Sequence, residues 1–143
     1  MKKNLYLLLI TMVVIAAGCK KTEQIPVTLP EGKFSGTFRR IHLNPLNNKV
    51  DTASANLTVT LSAATGYTVT GDTTTLHAGS SGNYAVDGTY MQFNDKTLVS
   101  GVKPVNNKVH LSGLYQYLYD GTTLQIGASN DTLNYFYNLK SSQ

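Results

Sequence analysis

Histidine, carboxylate and serine side chains are the usual carriers of catalysis and metal binding; in this 143-residue chain histidines and acids are few, while serine is common. The histidines are His42, His77 and His110. None stands at a metal-ligand spacing from another histidine, a cysteine or a carboxylate, so no metal site is expected. His110 is out of phase with the apolar Val109 and Leu111, which places it on a solvent face. The acids are Glu23, Glu31, Asp51, Asp72, Asp87, Asp95, Asp120 and Asp131. Glycoside hydrolysis needs two carboxylates facing each other at a set distance. Glu23 and Glu31 fall in a tether, and Asp72, Asp87, Asp120 and Asp131 fall in turn sequences. Asp51 and Asp95 are left, both assigned to loops. No Gly-x-Ser-x-Gly elbow occurs. Gly79-Ser80-Ser81-Gly82 reads as a loop, and His77 beside it has no orienting acid in the sequence. The expectation is a protein that is not an enzyme and carries no cofactor.

The one cysteine, Cys19, has a different chemistry open to it. It follows a basic head, Lys2-Lys3, and a thirteen-residue uncharged run, LYLLLITMVVIAA, from Leu5 to Ala17. A spanning helix needs roughly 20 apolar residues, so the run is too short to span and suits a signal-peptide core. It ends in Ala16-Ala17-Gly18-Cys19, which resembles the bacterial lipobox, with Ala16 where leucine is usual. The resemblance implies cleavage before Cys19 and acylation of its thiol and its new amino group. Burial of lipid contributes about 0.8 kcal/mol per CH₂, so several chains on one residue hold firmly. No second cysteine is present for a disulfide. Residues 1–18 are thus read as a lipoprotein signal peptide. Residues 19–31 are read as the lipidated cysteine with a tether that contains Pro26 and Pro30. Lys20 stands where an aspartate would favour the inner membrane of enteric bacteria, so the outer membrane is expected.

Charge fits a membrane tether better than a polyanion. Lys+Arg 12 against Asp+Glu 8 gives +4. Cleavage before Cys19 removes Lys2, Lys3 and no acid, which leaves +2. Nucleic acid is not implied by so small a balance.

Tyrosine is the third chemistry. Eight tyrosines follow Cys19, and five of them, Tyr115, Tyr117, Tyr119, Tyr135 and Tyr137, lie near the end on one alternating phase. Stacked rings with hydroxyls that orient a guest make a pocket wall. The same residues also make a good strand core. If a ligand site exists, Tyr115, Tyr117, Tyr135 and Tyr137 line it, with Phe38. Each buried hydroxyl needs a partner or costs about 1–3 kcal/mol, which favours water or a ligand among them. Leu114, Leu118 and Phe136 fall on the opposite phase and predict an exposed apolar patch for protein contact.

The elements that must position these residues are strands. Apolar residues alternate with polar ones at Phe34–Phe38, Leu57–Leu61, Tyr67–Val69, Tyr84–Val86, Met91–Phe93, Leu124–Ile126 and Leu133–Leu139. The longest face runs from Val109 through Leu111, Gly113, Tyr115 and Tyr117 to Tyr119. Asp87-Gly88 and Asp120-Gly121 mark tight hairpins, with Gly71-Asp72 and Asn130-Asp131 as weaker turn signals. Pro45-Leu46-Asn47-Asn48-Lys49-Val50 and Pro104-Val105-Asn106-Asn107-Lys108-Val109 echo each other, read as shared turn chemistry. About eight strands joined by hairpins predict an all-β domain over residues 32–140, followed by a short tail, 141–143. Such a meander has open edges unless it closes, so an antiparallel up-and-down barrel is expected, with a two-sheet β-sandwich as the alternative.

With GKFSGTFRR (32–40), NLTVTL (56–61), GNYAVDGTYMQFND (82–95), HLSGLYQYLYDGTTLQI (110–126) and DTLNYFYNLK (131–140), the chain resembles the small lipocalin-like (calycin-like) lipoproteins of Gram-negative bacteria. It has no tryptophan and so lacks the Gly-x-Trp of true lipocalins, with Phe34 and Phe38 beside Gly36 available for that packing role. The resemblance implies a lipid-anchored barrel that holds a small apolar or aromatic ligand. The alternative is an interaction protein, such as an envelope inhibitor or accessory subunit, whose barrel is filled by its own side chains. Asp-Thr-Ala at 51–53 also resembles an O-glycosylation motif of some Gram-negative lineages, with Thr52 as a loop acceptor.

Overall fold

The computed structural model describes residues 29–98 and 107–142. Cys19, the signal segment and most of the tether lie outside the described residues, as does Pro104-Val105-Asn106. Eight strands follow in order: β1 (Gly32–Leu43), β2 (Val50–Ser62), β3 (Gly66–Gly71), β4 (Ser81–Val86), β5 (Tyr90–Asp95), β6 (Gly113–Tyr119), β7 (Thr123–Ser129) and β8 (Leu133–Ser141). Each pairs antiparallel with the next, and β1 pairs with β8, so the sheet is a closed up-and-down barrel rather than a sandwich. Closure removes both sheet edges and their unpaired N–H and C=O groups.

The seam between β1 and β8 is long, from Phe34 opposite Ser141 to His42 opposite Leu133. Pairing therefore runs one residue past the expected end at 140, and Ser142 N–H donates to the Lys33 carbonyl at 2.8 Å. At the start of the domain, Glu31 accepts the Ala63 N–H at 3.0 Å. That residue belongs to the barrel end rather than to the tether.

Alternation puts one phase of every strand inside. Phe34, Phe38, Leu57, Val59, Leu61, Tyr67, Val69, Met91, Phe93, Leu124, Ile126, Tyr137 and Leu139 are all buried. The bore is filled by their side chains. Tyr67–Phe93 and Phe93–Tyr115 are edge-to-face, with ring centroids at 5.0 and 5.8 Å. Phe38 meets Tyr137 at 4.7 Å.

Two expectations from spacing are corrected here. The face predicted from Val109 to Tyr119 is not one strand. β6 begins only at Gly113, whose φ of +102 is a left-handed conformation that interrupts the alternation there. Val109 instead bridges His77 in parallel, and Leu111 is buried from the connection. Thr52 lies in β2 opposite Ile41, not in a loop, and is exposed.

Turn chemistry holds with a refinement. Gly88 and Gly121 have φ near +94, as Asp-Gly turns require of the glycine. Asp87 and Asp120 do not share the positive φ. Their carboxylates accept backbone N–H groups instead, Tyr90 at 2.7 Å and Thr123 at 2.6 Å. These bonds stabilise the ionised form and hold both carboxyls below the usual range, Asp120 at about 2. The two echoing segments converge on one feature. Asn48 (φ 54) and Asn107 (φ 51) occupy equivalent positions and both adopt the left-handed region that asparagine tolerates.

Candidate functional site

The residues predicted to line a ligand site divide into two groups. Phe38, Tyr115 and Tyr137 come together in the core and are essentially inaccessible. Tyr115 and Tyr137 lie edge-to-face at 6.0 Å, and Phe38 also reaches Tyr135 at 6.0 Å. Tyr117 and Tyr135 are half-buried. Tyr135 stands at the barrel mouth beside Arg40 and Leu133, where the connections after β1, β3, β5 and β7 gather.

The Tyr137 hydroxyl needs neither water nor a ligand, because it meets His77. This histidine is fully buried in the connection between β3 and β4, packed edge-to-face on Phe38 at 4.9 Å. Nδ1 lies 2.6 Å from the Ala78 carbonyl and Nε2 lies 2.9 Å from the Tyr137 hydroxyl. The carbonyl can only accept, so Nδ1 carries the proton. Nε2 then accepts from Tyr137, and the pair is satisfied without solvent. Tyr67 likewise donates to the Leu111 carbonyl. Nothing in the sequence near His77 signals this role, because Tyr137 is 60 residues away.

Burial drives His77 down to about 4, with the bond to the Ala78 carbonyl working the other way. The imidazole is therefore neutral at pH 7, and the unfolded chain takes up its proton near 6.5. Protons favour the unfolded state in that interval. Stability is complete above about pH 6.5 and falls as pH drops toward 4, by about 3 kcal/mol at 1.36 kcal/mol per pKa unit. Urea unfolding from pH 7 to pH 4 measures it. The wild type is expected to lose stability across that range, and His77→Gln is expected to show a shallower slope whatever its starting stability.

His110 and Asp95 depart from expectation together. Asp95 ends β5 and its side chain is fully buried, so it is not a loop carboxylate. His110 Nδ1 lies 2.8 Å from Asp95 Oδ2, and the His110 side chain is 16% exposed, not solvent-facing. Asp95 Oδ1 accepts the backbone N–H and hydroxyl of Thr97. The arrangement ties the connection between β5 and β6 to the end of β5, a structural use for both residues. Asp51 lies in β2, exposed, 4.0 Å from Arg40. No group of three or more metal-ligating side chains occurs among the described residues.

The larger concavity is on the outside. Cross-strand register sets Gln116, Gly127, Phe136 and Arg39 in one outward row over β6, β7, β8 and β1. Gly127 has no side chain, so the row sinks there. A groove of about 910 Å³ follows, with Leu114, Leu118, Ile41 and Phe136 among its walls. Leu114 is 57% and Leu118 72% exposed. The Arg39 guanidinium stacks over Phe136, 5.4 Å from the ring centroid. Leu114, Leu118 and Phe136 thus form one surface, as their phase predicted. Arg39 is the one charged residue of its described lining.

No family model matches this chain, and neither a curated protein nor a solved structure matches it.

Proposed function

We propose that the protein is a non-enzymatic interaction module, anchored to the outer membrane through lipid on Cys19, that docks an envelope protein on the outer wall of its barrel. The observation that supports this most is the exposed apolar groove around Gly127, walled by Leu114, Leu118 and Phe136. Exposed apolar surface of this kind is costly in water and marks contact sites. A small ligand in the bore is the less favoured reading. It would have to displace Phe38, Tyr115 and Tyr137, which pack on one another and are buried. The partner fitting the groove presents apolar side chains with a carboxylate beside them, because Arg39 is the one charged residue of the described lining.

A photoreactive side chain at Leu118 in the full lipidated chain, in its native envelope, tests this. Thr60, exposed on β2 across the barrel, is the control. Leu118 is expected to give one discrete protein adduct that Thr60 does not, weakened by Leu114→Asp at unchanged melting temperature. The same adducts at both positions, adducts with lipid alone, or adducts with a second copy of this chain would overturn the docking reading. Fractionation tests the anchor separately: wild type should sediment with outer membranes and Cys19→Ala should be soluble.

A further inference from the structure

A second concavity lies at the barrel mouth, away from the outer groove. It is smaller, about 360 Å³, within the range of small-molecule sites. Its described lining comes from three places in the sequence. Arg40 and His42 come from the end of β1, Leu133 and Tyr135 from the start of β8, and Lys108 and Val109 from the chain that leads to β6. Arg40 lies opposite Tyr135 and His42 opposite Leu133 in the seam register, so the four form a square on the inward phase. Below them, Phe38 and His77 close the bore.

The chemistry of this lining is asymmetric. Leu133, Val109 and the Tyr135 ring are apolar, while Arg40 and Lys108 are cations and His42 adds a polar ring. Lys108 is held in place, its Nζ donating to the Thr73 carbonyl at 3.0 Å, with donors to spare. Arg40 has a loose partner. Asp51 is 4.0 Å away and its side chain is 72% exposed. An exposed pair at that distance contributes about 0–1 kcal/mol, so a better-placed anion competes with it readily. Arg40 offers a planar fork of donors suited to a carboxylate. The Tyr135 hydroxyl is pushed up by burial and drawn down by Arg40, so it is a neutral donor beside the guanidinium.

We propose that this mouth pocket binds a small monocarboxylate, its carboxylate held by Arg40 and Lys108 and its apolar body resting on Leu133, Val109 and Tyr135. The guest sits on the plug rather than inside the bore. The site needs no rearrangement of the buried aromatic core. It does not depend on the outer-wall docking reading, since the two concavities share only Tyr135.

The probe is octanoate, titrated into the purified full-length chain and followed by calorimetry and by ¹⁵N and side-chain NMR shifts. Saturable binding is expected, with shifts at Val109, Leu133 and Tyr135. Octanol, which keeps the apolar tail without the charge, and inorganic phosphate, which keeps the charge without the tail, should each bind at least tenfold more weakly. Arg40→Gln should weaken octanoate about tenfold at unchanged melting temperature. Asp51→Asn should tighten it two- to threefold, because it releases Arg40, and this gain cannot come from damage to the fold. The proposal is overturned if octanoate does not saturate. It is equally overturned if octanol matches octanoate, if Arg40→Gln binds as well as wild type, or if shifts map to the outer groove.

Discussion

Gly36→Ala is expected to remove more than about 4 kcal/mol of stability, a large share of the roughly 5–15 kcal/mol that holds an ordinary small domain folded. Gly36 sits mid-seam in β1, opposite Leu57 on one side and Leu139 on the other. A Cβ built there would fall 2.1 Å from the Asn138 carbonyl oxygen and 2.9 Å from the Leu139 Cα. Both are backbone atoms of β8, so no side chain can swing aside. The seam itself must open, and with it the hydrogen bonds that close the barrel. Gly127→Ala is the matched control. Its Cβ would meet the Phe136 ring at 3.7 Å, an ordinary contact. Alanine in a strand also avoids the entropic cost of glycine, about 0.5–1 kcal/mol, so this variant should be as stable as wild type or slightly more so. Urea unfolding followed by circular dichroism decides between them. A Gly36→Ala protein within 1 kcal/mol of wild type would mean that the seam is not closed as described.

Leu111→Asp is expected to be as damaging by a different route. Leu111 is fully buried, although it lies in the connection before β6 and not in a strand. Its carbonyl accepts the Tyr67 hydroxyl, which burial and the nearby Asp95 push well above its ordinary value. An aspartate here enters a fully buried site of the hydrophobic core. Either the charge stays buried or the carboxyl takes up a proton, and each costs several kcal/mol at pH 7. Leu111→Met keeps volume and polarity and should cost less than about 1.5 kcal/mol. If Leu111→Asp melts with the wild type, the connection does not pack into the bore. If Leu111→Met is equally disruptive, shape rather than charge is what that site enforces.

The two variants separate what local pattern carries from what closure adds. Alternation at Phe34–Phe38, Leu57–Leu61 and Leu133–Leu139 is written into the sequence, because in a strand every second side chain shares a face. That pattern, with Asp-Gly and Asn-Asn turns between the runs, was enough for an antiparallel meander of about eight strands and for the parity of the aromatic residues within them. It put Phe38, Tyr115 and Tyr137 inside and Leu114, Leu118 and Phe136 outside, as they are. Acylation of Cys19 is a reading of the first twenty residues and owes nothing to the fold.

Parity does not give depth, register or partners, and these the tertiary structure decided. Whether an inward tyrosine sits in the core or at the mouth depends on strand tilt and on what plugs the end. Here Tyr137 meets His77 across 60 residues of chain, and the plug made by His77 and Val109 buries one tyrosine and leaves Tyr135 at the rim. The left-handed turn at Gly113 broke a face that alternation alone had read as continuous, because φ is invisible to a hydropathy pattern. The Arg40, Lys108 and Tyr135 pocket joins residues from different hairpins. Their spacing in the chain carries no trace of their spacing in the barrel, since only closure of β1 on β8 fixes which hairpins become neighbours.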